Sequence, residues 1–122
     1  MTMTQDDLQQ YSSAWSNHDI DAIMAFMTDD CVFETGGGHD RFGTRYVGRE
    51  QVRARFVEVW TDIRDVCFTR ENHLVDGDKG CSEWTLTGTA KDGSSIDVDG
   101  CDLFTFVGDK IQSKRSYLKH IH

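Results

Sequence analysis

The run GCDLFTFVGDKIQSKRSY, residues 100 to 117, places a carboxyl group, Asp102, at the head of an apolar stretch continued by Leu103, Phe104, Phe106 and Val107. On the core face of a strand a carboxyl either keeps its charge with partners or gives it up, because an unpaired buried anion is costly. Neutral, it donates a hydrogen bond; ionised, it holds a cation; facing water, it does neither. A cation is close in sequence. Alternation from Lys110 puts Gln112, Lys114 and Ser116 on one face of the next segment and Ile111, Ser113, Arg115 and Tyr117 on the other. If the first set faces inward, Lys114 pairs with Asp102 and keeps it ionised. Tyr11 offers a phenol that is neutral over the working range, on a helical face shared with Leu8 and Trp15. Glu34 and His39 lie at and in the glycine-rich segment TGGGHDRFGTRYVG, beside Asp40, Arg41 and Arg45. There Glu34 either anchors the loop or handles protons, and His39 is either a surface residue or a base. Gly36-Gly37-Gly38 reads as a turn, since no helix with a phosphate-loop pattern follows it.

The elements that position these groups are legible in the periodicity. Thr4 followed by Asp6 and Asp7 is a helix-start signal, and residues 4 to 17 form an amphipathic helix. Asn17-His18-Asp19 breaks it, and Asp19 caps a second helix whose stripe of Ile20, Ile23, Met24 and Met27 ends at Asp29-Asp30. Residues 4 to 28 and 49 to 63 are therefore expected to be helical, the latter with Val52, Phe56, Val59, Trp60 and Ile63 at helical spacing. Between them Cys31 to Glu34 reads as a short strand. After residue 65 at least four antiparallel strands are expected: Asp65 to Val75, Gly80 to Ala90, Ser95 to Val107 and Lys110 to His120. The turns are Asp76-Gly77-Asp78, Lys91-Asp92-Gly93 and Gly108-Asp109. Helices first and a meander second imply an α+β fold, helices packed on one sheet face.

At 122 residues the chain reads as a single domain, 1–122, with 38% hydrophobic residues to fill a core. A formal charge of -8 argues against nucleic acid, whose affinity rests on basic side chains. No stretch approaches the ~18 apolar residues of a membrane span, and MTMTQDDLQQ has no signal-peptide pattern. A cytoplasmic protein without membrane contact is the expectation. Cys31, Cys67, Cys81 and Cys101 are scattered among apolar and β-forming residues and read as buried free thiols.

The order of elements, with YSSAWSNHDIDAIMAFMTDDCVFE, G-R-E-x-V-R-x-R-F and CDLFTFVGDKIQSKRSY, resembles the nuclear transport factor 2-like superfamily, and within it the SnoaL-like and ketosteroid isomerase branch. The resemblance spans nearly the whole chain. It implies a cone: a curved antiparallel or mixed sheet wrapped around about three N-terminal helices, also called cystatin-like. It further implies that Tyr11 and a protonated Asp102 form an oxyanion hole; ketosteroid isomerase is the standing example of a carboxylic acid kept neutral by an apolar site. The position of the family's base falls at Thr35, which cannot take a proton, so that role passes to Glu34 or His39. Trp15, Phe33, Phe56, Trp60, Trp84, Phe104 and Lys114 are the implied pocket-lining residues. Limonene epoxide hydrolase-like chemistry is poorly matched by the last strand, and scytalone dehydratase-like chemistry would need paired histidines, with only His39 and His73 available.

The implied activity is that of a cofactor-free isomerase or polyketide cyclase, removing a proton beside the carbonyl of a small hydrophobic ligand. Its groups would converge on an apolar cavity of about 300 Å³ or more. The alternative is a noncatalytic small-ligand binding module or accessory subunit, which needs only shape. No cofactor is implied, and His18, His39, His73, His120 and His122 lack metal-ligand spacing, the terminal His-x-His reading as a frayed end. A homodimer is expected through the strands holding Trp84 and Phe104 to Phe106.

Overall fold

The computed structural model describes residues 2–120. Its elements are α1 (Gln5–Ser16), α2 (Ile20–Ala25), β1 (Met27–Glu34), β2 (Arg45–Val47), α3 (Arg49–Asp62), β3 (Cys67–Asp76), β4 (Lys79–Thr89), β5 (Ser95–Val107) and β6 (Lys110–Leu118). They make an α+β fold in which one curved, open sheet of order β2-β1-β6-β5-β4-β3 wraps the helices. The sheet is mixed, because β1 runs parallel to β6 while the other pairs are antiparallel. Among the described residues no helix is long and apolar enough to cross a membrane.

Local chemistry accounts for the helix boundaries. Thr4 and Asp7 form a reciprocal capping box at the start of α1, and the Asp19 carboxylate accepts from the Ala22 N–H at the start of α2. The expected run to residue 28 stops earlier. Phe26 closes α2 and Met27 already belongs to β1, because the Phe26 carbonyl accepts from Ile111 N (2.7 Å) and Met27 pairs with Ile111. Arg49 Nη1 then donates to the carbonyls of Met24 (2.9 Å) and Met27 (2.8 Å), tying this junction to α3. The strand β2 lies within the segment read as loop; three residues are too few to show a period.

The core lies between the helices and the inner sheet face, with Leu8, Ile23, Val52, Phe56 and Ile111 at 0 to 1% exposure. Simple alternation would separate Ile111 from Lys114, yet both are buried. The register resolves this: Phe106 faces Ile111 and Thr105 faces Ser113, so Gln112 is an extra residue in β6 that resets the alternation. The four cysteines are free, but only Cys31 is buried; Cys67, Cys81 and Cys101 are partly exposed. The rings of Trp84, Phe104 and Phe106 are buried. His122 lies outside the described residues, so the His-x-His reading does too.

Candidate functional site

Three elements bring three polar side chains together inside the cone. Tyr11 hangs from α1 with its ring edge-on to Phe26 and Phe104, at centroid distances of 5.7 and 6.1 Å. Lys114 comes from β6 and Asp102 from β5, each 6% exposed. The Lys114 ammonium donates to Tyr11 Oη (3.3 Å) and stands 3.8 Å from Asp102 Oδ2. Four rings surround that ammonium, from Trp15 at 4.5 Å to Phe33 at 5.7 Å, with Tyr11 and Phe56 between. Their faces supply cation–π attraction in place of water.

Asp102 is held as an acceptor. Its Oδ2 accepts from Trp84 Nε1 (3.0 Å), and its Oδ1 accepts from Ser116 Oγ (2.6 Å). An indole N–H and an ammonium only donate, so Oδ2 has no proton to offer. The neutral donor role implied for Asp102 is therefore corrected: paired with Lys114, it anchors a cation. Burial works against that cation, but the Asp102 carboxylate and the Tyr11 hydroxyl outweigh it and hold Lys114 above the ordinary lysine range. Burial pushes the Tyr11 phenol up, with Lys114 opposing. Both shifts keep Lys114 an ammonium and Tyr11 a neutral phenol.

The cluster has more donors than acceptors. Beyond accepting from Lys114, Tyr11 Oη donates to the thioether sulfur of Met27, 3.8 Å away and a weak acceptor, and the nearby Trp15 side chain also acts on the phenol. Trp15 Nε1, on a residue 4% exposed, has no hydrogen-bond partner among the described residues. These side chains border a void of about 20 Å³ lined by Leu8, Tyr11, Ser12, Trp15, Phe68, Ser82, Trp84, Asp102, Phe104 and Lys114. That is room for roughly one oxygen-sized group. This void falls well short of the expected cavity, because the Lys114 side chain and the rings of Phe68, Trp84 and Phe104 line it closely. Larger concavities, about 450 Å³ on the outer sheet face and about 560 Å³ beside the end of α3, are open. Several polar groups there are paired: Thr85 with Asp99, Asp65 with Thr89, Lys91 with Asp62.

Of the expected site residues, Tyr11, Asp102, Trp15, Trp84, Phe104 and Lys114 meet at this void. Phe33 and Phe56 lie in the core beneath the ammonium, and Trp60 packs behind Trp15 at 5.4 Å. Glu34 and His39 do not converge with them. Glu34 is ion-paired with Arg45 (2.8 Å) and lines a separate cleft of about 110 Å³, while His39 is exposed in the loop. Thr35, at the vacated base position, closes that loop by accepting from Thr44 N (2.9 Å) and donating to the Gly37 carbonyl (2.7 Å).

Sequence reading passed over Ser82, Phe68 and Ser12, and placed Ser116 on the face of Lys114 without giving it a role. His73, Ser82, Asp102 and Ser116 are directly paired in register across β3, β4, β5 and β6, so they form one polar row on the inner face. Part of this was countable: the turn at Gly77-Asp78 spans two residues, which places His73 opposite Ser82. The closing step to Ser116 depends on the Gln112 bulge.

The SnoaL-like domain matches residues 8–114 of the chain. No curated protein matches it in sequence. Its fold is similar to that of a Xanthomonas campestris protein of unknown function with a cystatin-like fold (TM-score 0.84, 19% identity, covering 98% of this chain and 92% of that one). It is also similar to a hypothetical protein with a ketosteroid isomerase-like fold from Catenulispora acidiphila, in complex with trimethylamine (0.81, 21%, 94% and 86%). A candidate polyketide cyclase from Xanthomonas campestris pv. campestris is a further neighbour (0.80, 19%, 93% and 88%). At these identities the likeness carries the fold alone.

Proposed function

Because the chain belongs to the SnoaL-like domain family, we propose that it is a small-molecule isomerase or cyclase, acting by removal of a proton next to the carbonyl of a hydrophobic ligand. The observation that carries this reading is the buried pair Tyr11 Oη and Lys114 Nζ, 3.3 Å apart, in which the phenol's proton meets only the weakly accepting sulfur of Met27 among the described residues. Donors fixed in a dry site favour a group whose negative charge grows during reaction, as an enolate oxygen does. Asp102 supports this indirectly, by holding the Lys114 ammonium in place against desolvation.

A ligand larger than one oxygen atom has to part α1 from the sheet. On the open side α1 is fastened to the Glu71 carboxylate of β3 by Gln9 Nε2, an exposed contact, and by Ser12 Oγ, a partly buried one. Entry at that seam breaks these hydrogen bonds, each worth about 1 kcal/mol.

The test uses 2-tetralone, a ketone with acidic C–H groups, in D2O. Binding is followed by tryptophan fluorescence, and exchange of the protons beside the carbonyl by proton NMR. Accelerated exchange that falls about 10²- to 10³-fold in Tyr11→Phe, with binding retained, is the expected result. Binding with no exchange would leave the noncatalytic binding module as the function.

We also propose that the chain pairs with a second copy of itself through the outer face of β3 to β6, where Leu74 (54% exposed) and Tyr117 (49%) stand in the open. Leu74, Cys81 and Leu103 share one cross-strand row there, and Cys101 and Tyr117 the next.

A further inference from the structure

The site as described lacks a base. Lys114 is held as an ammonium, Asp102 is saturated by donors, and Glu34 and His39 lie elsewhere. The polar row on the inner face supplies one. Ser82, 5% exposed, lines the void, and its Oγ is 2.7 Å from His73 Nδ1. Directly opposite Ser82 across the β4–β5 ladder is Asp102, so the hydroxyl and the carboxylate share a row and a face. His73 Nε2 is buried without a hydrogen-bond partner among the described residues.

We propose that His73 and Ser82 are the proton-handling pair of this site, Ser82 touching the substrate C–H and His73 acting through it. The inference rests on the carbonyl-binding reading above. Ser82 Oγ takes the proton from the carbon beside the carbonyl while its own proton passes to His73 Nδ1. The C–H electron pair becomes the enolate double bond, and the resulting oxyanion is held by Tyr11 and Lys114. Return of the proton along the same path, to a different carbon, completes an isomerisation and regenerates neutral His73 and the Ser82 hydroxyl.

The starting state suits the task. The ring must begin neutral, with Nδ1 accepting from Ser82 and Nε2 carrying the hydrogen. Burial favours the neutral ring, lowering its pKa, while Glu71 on the same strand opposes that shift and is placed to stabilise the imidazolium when it forms. Ser82 is thus the catalytic residue of the pair, and His73 a relay whose place is set by the β3–β4 register.

The experiment is the 2-tetralone exchange assay on the full chain, with His73→Gln, Ser82→Ala, the double variant and Ser82→Thr, each checked for native circular dichroism and for ligand binding. His73→Gln and Ser82→Ala should each lose about 10²- to 10⁴-fold in exchange rate with binding unchanged. The double variant should lose no more than either alone, as groups acting as one unit do. Ser82→Thr, which keeps a hydroxyl, should retain most of the rate, and free imidazole should restore part of it to His73→Gln. Wild-type exchange rates in His73→Gln and Ser82→Ala would overturn the pair while leaving the carbonyl reading intact. Absence of exchange in the wild type would overturn both.

Discussion

Lys114 is the residue on which the interior turns, because an ammonium 6% exposed is tolerable only with a counter-charge and donor-saturating surroundings. Asp102, Tyr11 and the four rings supply them. Lys114→Met should therefore cost about 3–5 kcal/mol of stability, chiefly by leaving the Asp102 carboxylate buried without its cation. Adding Asp102→Asn should recover part of that loss, since the amide carries no charge. Urea unfolding of the two variants checks this, and an equally unstable double variant would contradict it. His73 makes a second residue-scale prediction. Burial lowers its pKa from 6.5, so the unfolded chain takes up the proton first as pH falls. Its stabilising contribution is fully present above the unfolded pKa and is lost as pH drops from there through the folded value. Wild type should lose more stability between about pH 7 and about pH 5 than His73→Gln does.

At the scale of elements, strand contacts decide what each side chain can reach. Trp84 sits opposite Gly100, and a Cβ there would lie 2.7 Å from the indole ring and 2.6 Å from the Tyr117 carbonyl oxygen. The glycine lets the indole lie across β5 with its N–H on Asp102. Gly100→Ala should cost about 1–3 kcal/mol through overpacking. It should also alter the Trp84 environment, visible as a changed tryptophan fluorescence spectrum; an unchanged spectrum would mean the ring is not held there. The start of α1 is a smaller lever. Thr4→Ala removes one half of the capping box and should cost about 1 kcal/mol in thermal or urea unfolding.

For the whole molecule, the curved sheet leaves its outer face uncovered while the inner face is filled by helices. Sedimentation should give about twice the 13.9 kDa chain mass at micromolar concentration. Leu74→Asp should shift it to the single chain, and a wild-type monomer at that concentration would remove the dimer.

What the sequence determined by itself is what local spacing can carry. The helix faces of Leu8, Tyr11 and Trp15, the Asp19 break, the four C-terminal strands and their turns follow from side-chain period and turn chemistry, which act over a few residues. The candidacy of Tyr11, Asp102 and Lys114 was legible too, as a carboxyl and an amine set in apolar company. Tertiary structure decided the rest. Whether Asp102 is neutral or paired depends on Lys114 reaching it, which depends on the extra residue Gln112 in β6. Glu34 was lost to Arg45 because β2 pairs with β1, a contact invisible in a three-residue strand. Ser82 came into the site through register, since a row across four strands joins residues 73 and 116 that no local pattern links. Hydrogen-bond partners and desolvation are set by neighbours distant in sequence, and these fix which groups carry charge.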